Sequence, residues 1–232
     1  MSDHTRVAGA TPHTGVWTWL GVLVALGVPT LVVVAKRTSY FGTEVGSGHI
    51  FNWGAMWGAT LLTILILVSG ERQPLSAIGF GRLTWSSLGF GVALGALVIM
   101  TFPLAGLILK TLDIPNPQTA LAEVATMPLW LRVGTLLTAG VTEEILFRGY
   151  PISRLKVATG SMAIAVVVPF VVFVVLHLPS WGAAHLLFVS IAAALFTLAF
   201  VWRRNLWTNI IGHFVADSVP LLILPLTEMP TG

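Results

Sequence analysis

The chain has 232 residues, of which 56% are hydrophobic and 9% are charged, and its mean hydropathy is +0.90. A soluble domain carries about 25% charged residues, so this composition excludes a water-covered surface and predicts an integral membrane protein. The net charge of +3 comes from basic residues at the ends of apolar runs, which is typical of membrane topology and argues against a nucleic-acid partner. The absence of cysteine excludes disulfides, thiolate metal sites and a cysteine nucleophile.

The apolar runs predict an all-α bundle of about seven membrane spans, in a single membrane domain over residues 1–232. Residues 1–15 are expected to form a polar N-terminal tail, and the first apolar run is expected to be a retained span because it has no clear cleavage site. An interfacial helix around residues 75–87 would raise the number of membrane segments to eight. The predicted spans are 16–35, 50–69, 88–109, a fourth from residue 128, 161–178, 182–202 and 205–226.

Lysine and arginine positions predict the orientation of these spans, since cytoplasmic loops carry the excess of basic residues. With a cytoplasmic N-terminus, the external side receives only Lys36, Arg37, Lys110 and Arg132. We therefore expect a multi-pass protein of the cell membrane with its N-terminus in the cytoplasm. The basic residues on the cytoplasmic side would be Arg6, Arg72, Arg82, Arg148, Arg154, Lys156, Arg203 and Arg204.

The fourth span carries an unusual charged segment, Thr-Glu-Glu-Ile-Leu-Phe-Arg-Gly-Tyr at residues 142–150. Charges in apolar surroundings are costly and mark functional sites by default. Glu144 and Arg148 are four residues apart, so they share a helix face and are predicted to pair. Glu143 lies about 100° further round the helix, which leaves it free to act as a general base.

Two later helices add polar residues that are predicted to meet this segment. His177 lies in the fifth span, and His213 and Asp217 share one face of the last span. If the fourth and fifth helices form an antiparallel hairpin that turns at Gly160, then Glu143 and His177 lie at equal depth, because they are equally far from the turn in sequence. All four side chains are then expected to gather in the cytoplasmic half of the membrane.

These segments resemble the motifs of the CPBP intramembrane proteases, a family that includes the CAAX prenyl endopeptidases and the Abi group of bacteriocin-processing or self-immunity proteins. The resemblance covers residues 128–219, and the first three spans contribute nothing to it. The matching residues are Glu143, Glu144 and Arg148 for EExxxR, Phe173 and His177 for FxxxH, and His213 and Asp217 for HxxxN/D.

The resemblance implies an intramembrane endopeptidase in which Glu143 and His177 activate a water to attack a peptide carbonyl. His213 and Asp217 would stabilise the oxyanion or orient the substrate, and the remaining motif residues would support them. Asp217 departs from the asparagine that is usual in the prenyl endopeptidases. An ionised aspartate cannot donate to an oxyanion, so Asp217 must be protonated, orient His213, or help to hold a metal.

Metal-free glutamate catalysis is favoured, since the sequence lacks the HExxH zinc motif. The alternative is a divalent metal such as zinc on His177 and His213. The expected partners are the lipid bilayer and a peptide or protein substrate, with or without a lipid anchor.

Two other functions fit a membrane helix bundle with buried carboxylates. One is a small proton-coupled transporter that uses Glu143 and the histidines as a relay. The other is a non-catalytic membrane protein of the bacteriocin-immunity type. A transporter should show repeated architecture with paired broken helices, and the sequence shows no such pairing.

Overall fold

The structure, a computed structural model, describes residues 15–37, 47–115, 124 and 126–227. Of the polar N-terminal tail, only Gly15 falls within these ranges. Regular structure in the described ranges is helical throughout, with no strand. Six of the described helical segments are long and apolar enough to cross a membrane. The predicted all-α membrane bundle is confirmed.

The helices follow the predicted spans closely at most boundaries. A π-helical turn at Ile66–Gly70 ends α2, a 3-10 turn lies at Leu75–Ile78, and a further π-helical turn at Val219–Ile223 joins α7 to α8. The helices are α1 (Val16–Arg37), α2 (Ser47–Leu65), α3 (Trp85–Thr111), α4 (Leu129–Glu143), α5 (Tyr150–Thr159), α6 (Met162–Arg203), α7 (Leu206–Ser218) and α8 (Leu224–Thr227).

Side-chain caps set the start of three helices. The side chains of Thr84, Ser161 and Asn205 each accept a hydrogen bond from a backbone N–H in the first turn of α3, α6 and α7. Gly160 ends α5 in the left-handed conformation, with φ of 70°, which a glycine adopts without strain. The chain therefore reverses between α5 and α6 at the glycine where the sequence predicts the hairpin.

The predicted fourth span is built from three pieces. α4 continues into a π-helical turn at Glu144–Gly149, here called the site turn, and then into α5. All six residues of the site turn are buried. The charged segment is thus enclosed by protein rather than exposed to lipid, as expected for costly intramembrane charges.

The fifth and sixth predicted spans are two halves of one kinked helix, α6. Gly182 has non-helical backbone angles, φ 77° and ψ 170°, which suit a residue without a side chain. Pro179, three residues earlier, has no N–H to continue the helical hydrogen bonds. The halves, Met162–Pro179 and Trp181–Arg203, each remain long and apolar enough to span a membrane.

Glycines on α3 allow it to lie directly against α7. A Cβ at Gly95 would lie 2.6 Å from the Gly212 carbonyl oxygen and 2.5 Å from the Val215 Cβ. A Cβ at Gly91 would lie 2.9 Å from the Thr208 carbonyl oxygen. Since α7 carries His213, this close packing fixes the depth of one predicted site residue.

We predict that Gly95→Ala destabilises the protein by about 1–3 kcal/mol, because the added methyl overpacks the α3–α7 contact. The matched control is Gly89→Ala on the same helix, where an added Cβ meets nothing within 4 Å. Both changes gain the same helix propensity, about 1 kcal/mol, so the difference reports packing. Thermal unfolding in detergent measures it, and equal midpoints for the two variants would contradict the packing described.

Candidate active site

Glu144 is the most heavily bonded side chain in the site turn. Its Oε1 accepts from Arg148 Nη1 at 3.0 Å and faces His213 Nδ1 at 2.8 Å. Its Oε2 accepts from Asn209 Nδ2 at 2.9 Å. The side chain is 0% exposed, and a buried carboxylate requires this degree of hydrogen bonding. The pair that the sequence predicts, Glu144 with Arg148, is present, but it is part of a larger network.

His213 is oriented by this network and by a ring contact. Its imidazole stacks on Phe196, with ring centroids 5.2 Å apart and planes at 20°. Because the Glu144 carboxylate accepts at Nδ1, the opposite nitrogen, Nε2, faces the remaining carboxylates. Nε2 lies 3.4 Å from Asp217 Oδ2 and 3.9 Å from Glu143 Oε2.

Glu143 has a different environment from its neighbour. Its side chain is 19% exposed, and no hydrogen bond to it is found among the described residues. The polar groups around it are His213, His177, Asp217 and Arg148. The two adjacent carboxylates therefore differ: the described residues supply three hydrogen-bond donors to Glu144 and none to Glu143.

His177 is held in place by a hydrogen bond at its Nδ1. Its Nδ1 lies 2.8 Å from the Phe173 carbonyl oxygen, and since a carbonyl only accepts, Nδ1 carries the proton. In the neutral ring Nε2 is then an acceptor. No hydrogen bond or ion pair joins His177 to Glu143 within the described ranges.

Phe173 packs between the two arms of the hairpin. Its ring meets Phe147 at 5.0 Å, His177 at 4.5 Å and the Arg148 guanidinium carbon at 4.2 Å. Phe147 and Phe173 are equally far from Gly160 in sequence, so their contact shows the hairpin register that was expected for Glu143 and His177.

Asn209 is a site residue that the motifs do not include. Besides Glu144, its amide donates to the Phe196 carbonyl oxygen at 2.8 Å. A signal was available, since Asn209, His213 and Asp217 follow at i, i+4 and i+8 and therefore line one face of a helix. The sequence does not show that this face lies against Glu144, and that contact is what makes Asn209 part of the site.

His185 is a third histidine near the site. It lies in the second half of α6, and its ring stacks on Trp181 at 4.8 Å and on Phe188 at 5.9 Å. His177 and Asp217 are among the polar groups around it. The kink at Gly182 therefore places histidines on both sides of the break in α6.

The metal hypothesis can be tested against the donor set. Zinc sites in proteins draw three or four ligands together at about 2.0–2.3 Å from the ion. Within the described ranges, no group of three or more His, Asp or Glu side chains converges in a way that could hold a metal. One nitrogen of His213 and one of His177 are bonded to protein oxygens, which leaves Nε2 of each ring as the nitrogen that could face an ion. As they are placed, the described side chains do not converge on one zinc position.

Comparison with known protein families finds a match over the part of the chain that carries the site. Residues 125–219 match the model of the family Type II CAAX prenyl endopeptidase Rce1-like, which confirms the similarity to the CPBP and CAAX proteases. Searches of curated proteins and of solved structures found no match. The match supports a CAAX-type intramembrane endopeptidase in general terms and, with six span-length helices, a multi-pass membrane protein. It includes α4 to α7 and leaves α1 to α3 outside.

We predict that Asn209→Ala lowers stability by about 1–3 kcal/mol, because Glu144 Oε2 and the Phe196 carbonyl both lose a buried donor. Asn52→Ala, at a half-buried asparagine of α2, is the matched control and is expected to cost less. Thermal unfolding in detergent compares the two variants. An Asn209→Ala protein that unfolds like the wild type would show that the Glu144 network does not need this amide.

Proposed function

We propose that the chain hydrolyses a peptide bond in a membrane-associated peptide or protein, with a water held between Glu143 and His177. One observation carries this proposal. Of two adjacent carboxylates, Glu144 is fully buried with three donors, and Glu143 is part-exposed without a hydrogen bond. A structural pair alone would not need the second carboxylate in that position.

The proposed reaction begins with proton transfer from the water to Glu143. His177 Nε2 accepts the second hydrogen bond of that water and fixes the direction of its lone pair. The water oxygen attacks the scissile carbonyl carbon, and the carbonyl π electrons move to its oxygen to give a tetrahedral oxyanion. When the oxyanion collapses, the C–N bond breaks and Glu143 returns the proton to the departing amine. The products are a carboxylic acid and an amine.

His213 and Asp217 are proposed to serve the oxyanion as a pair. In its protonated form His213 carries an Nε2–H on the side of Glu143, where it can donate to the developing negative charge. Asp217 lies 3.4 Å from the same nitrogen and is 32% exposed. Because Nε2 carries a single proton, we propose that its N–H faces Asp217 in the free enzyme and is given to the oxyanion once negative charge develops there. Asp217 then orients His213 and has no need to donate.

The remaining motif residues are proposed to hold this geometry. Glu144 and Arg148 fix His213 through its Nδ1, and Phe173 fixes His177 through its backbone carbonyl. No step of this proposal is routed through a metal, because the described side chains do not converge on one metal position. We also propose that the chain lies in the cell membrane with a cytoplasmic N-terminus, and that the substrate enters the site laterally from the membrane or from the cytoplasm.

We predict that Glu143→Gln and His177→Ala each lower peptide cleavage by at least about 100-fold, the lower range for loss of acid–base catalysis. The test peptides are pairs with and without a lipid on a residue near the C-terminus, and cleavage is followed by mass spectrometry. Asp113→Asn is the matched control, because it makes the same carboxylate-to-amide change on an exposed loop.

Full activity in both Glu143→Gln and His177→Ala would contradict the proposed mechanism. If the wild type cleaves none of the peptides but transports protons in vesicles, the transporter is the better account. If it does neither, the non-catalytic immunity-type protein is favoured.

Chelation gives a separate prediction about the cofactor. We expect the purified protein to keep its activity after treatment with a zinc chelator, and elemental analysis to find less than one metal per chain. A folded but inactive apoprotein that regains activity with zinc would contradict metal-free catalysis. It would also make His177 and His213 metal ligands in place of hydrogen-bond partners of the water and the oxyanion.

A further inference from the structure

We propose that Glu71, Tyr150 and Arg154 form a clamp that positions the two carboxylates of the site turn. Glu71 comes from the N-terminal half of the chain, outside the stretch that matches the protease family. The inference rests on the proposed function, because it concerns the alignment of the same Glu143 and Glu144. It gives that half of the molecule a specific role in the site.

The clamp joins the end of α2 to the first turns of α5. One oxygen of the Glu71 carboxylate accepts from the Tyr150 hydroxyl, and the other pairs with the Arg154 guanidinium. Tyr150 and Arg154 are four residues apart, so both reach Glu71 from one face of α5. Glu71 itself is placed by its backbone N–H, which donates to Ile66 O at 2.8 Å and closes the turn that ends α2.

The clamp is a second buried charge cluster, separate from the Glu144 network. The side chains of Glu71 and Arg154 are 2% and 4% exposed. Buried ion pairs add little net stability compared with apolar side chains of similar volume. What such a pair does provide is a defined geometry, because both charges must stay together once they are buried. The cluster is therefore suited to fixing a position more than to strengthening the fold.

The site turn lies between the two clusters and is held at each end. Glu144, its first residue, is bonded to α7, and Tyr150 comes directly after its last residue, Gly149. A π-helical turn holds one more residue than an α-helical turn, so it rotates α5 about its axis relative to α4 by about 100° compared with a continuous α-helix. If α5 is free to rotate, the turn can relax and carry Glu143 and Glu144 away from His213. The clamp prevents that rotation.

Close packing of α1 leaves the clamp little freedom. A Cβ at Gly21 would overlap the Tyr150 hydroxyl. Gly149 is equally confined, since a Cβ there would lie 2.7 Å from Leu206 Cδ1 and 2.9 Å from the Ile78 carbonyl oxygen. A small change on α1 can therefore displace Tyr150 without touching any charged residue or any residue of the active site.

The first test removes the clamp without leaving a lone buried charge. Tyr150→Phe removes only the hydroxyl, and the double variant Glu71→Leu/Arg154→Met removes both charges. We expect each to lower kcat by about 10- to 100-fold at unchanged KM, since a displacement of about 1 Å can cost that much, while the unfolding temperature stays near that of the wild type. Wild-type kcat in both folded variants would overturn the proposal, as would losses that match the loss of folded protein.

A second pair of variants keeps every polar group. Gly21→Ala is expected to lower kcat by at least about ten-fold, because it pushes Tyr150 off Glu71. Gly27→Ala on the same helix meets only the Leu23 side chain, at 3.8 Å, and is expected to keep wild-type activity. Equal activity of the two would overturn the proposal even if the double variant fails to fold.

A readout without catalysis separates this proposal from the proposed function. Carbodiimide labelling, read by mass spectrometry, should modify the part-exposed Glu143 and spare the buried Glu144 in the wild type. We expect Gly21→Ala to raise labelling of Glu144 several-fold and Gly27→Ala to leave it unchanged. If the wild type cleaves no peptide, the proposed function fails. The labelling of Glu144 in the two glycine variants still shows whether the clamp positions the site turn. Unchanged Glu144 labelling in Gly21→Ala would overturn it.

Discussion

The Glu144 carboxylate is the interaction on which the rest of the site depends. A carboxylate that is 0% exposed inside a membrane bundle is tolerated only when donors surround it. Arg148 supplies one from the same helix, and Asn209 and His213 supply the others from α7. Because satisfying Glu144 uses His213 Nδ1, it also decides that His213 Nε2 faces Glu143 and Asp217. A single desolvated charge therefore fixes the relative position of two helices and the direction of an imidazole.

The surrounding helices hold the segments that carry Glu143, His177 and His213 at fixed depths in the bundle. Glycines of α3 let that helix pack closely against α7. Gly160 reverses the chain, so that α6 runs back beside α5 and α4. The kink at Gly182 breaks α6 close to His177. In the clamp proposal, the N-terminal half adds Glu71, which holds the far side of the site turn. Of these supports, Gly160 and Gly182 lie within the stretch that matches the family, and α1 to α3 lie outside it. The matched stretch therefore packs on helices from outside the match.

Sequence reasoning succeeded where local geometry decides the outcome. The i, i+4 spacing predicts the Glu144–Arg148 pair, and a glycine between two apolar helices predicts the hairpin, whose register is visible in the contact of Phe147 with Phe173. It missed what depends on contacts between distant segments. Asn209 looks like any polar residue until α7 is placed against α4, and Glu71 looks like the end of a span. The π-helical form of the site turn has no periodic signature in the sequence.

The central claim is that Glu143 acts as a base on water and does not attack the substrate itself. A single turnover in water enriched in oxygen-18, with enzyme in excess over peptide, tests this directly. If Glu143 activates water, the new carboxylate of the product gains one labelled oxygen in that first turnover, and Glu143 gains none. A product without label, or a Glu143 side chain that becomes labelled, would mean that the carboxylate formed a covalent acyl intermediate and would contradict the account.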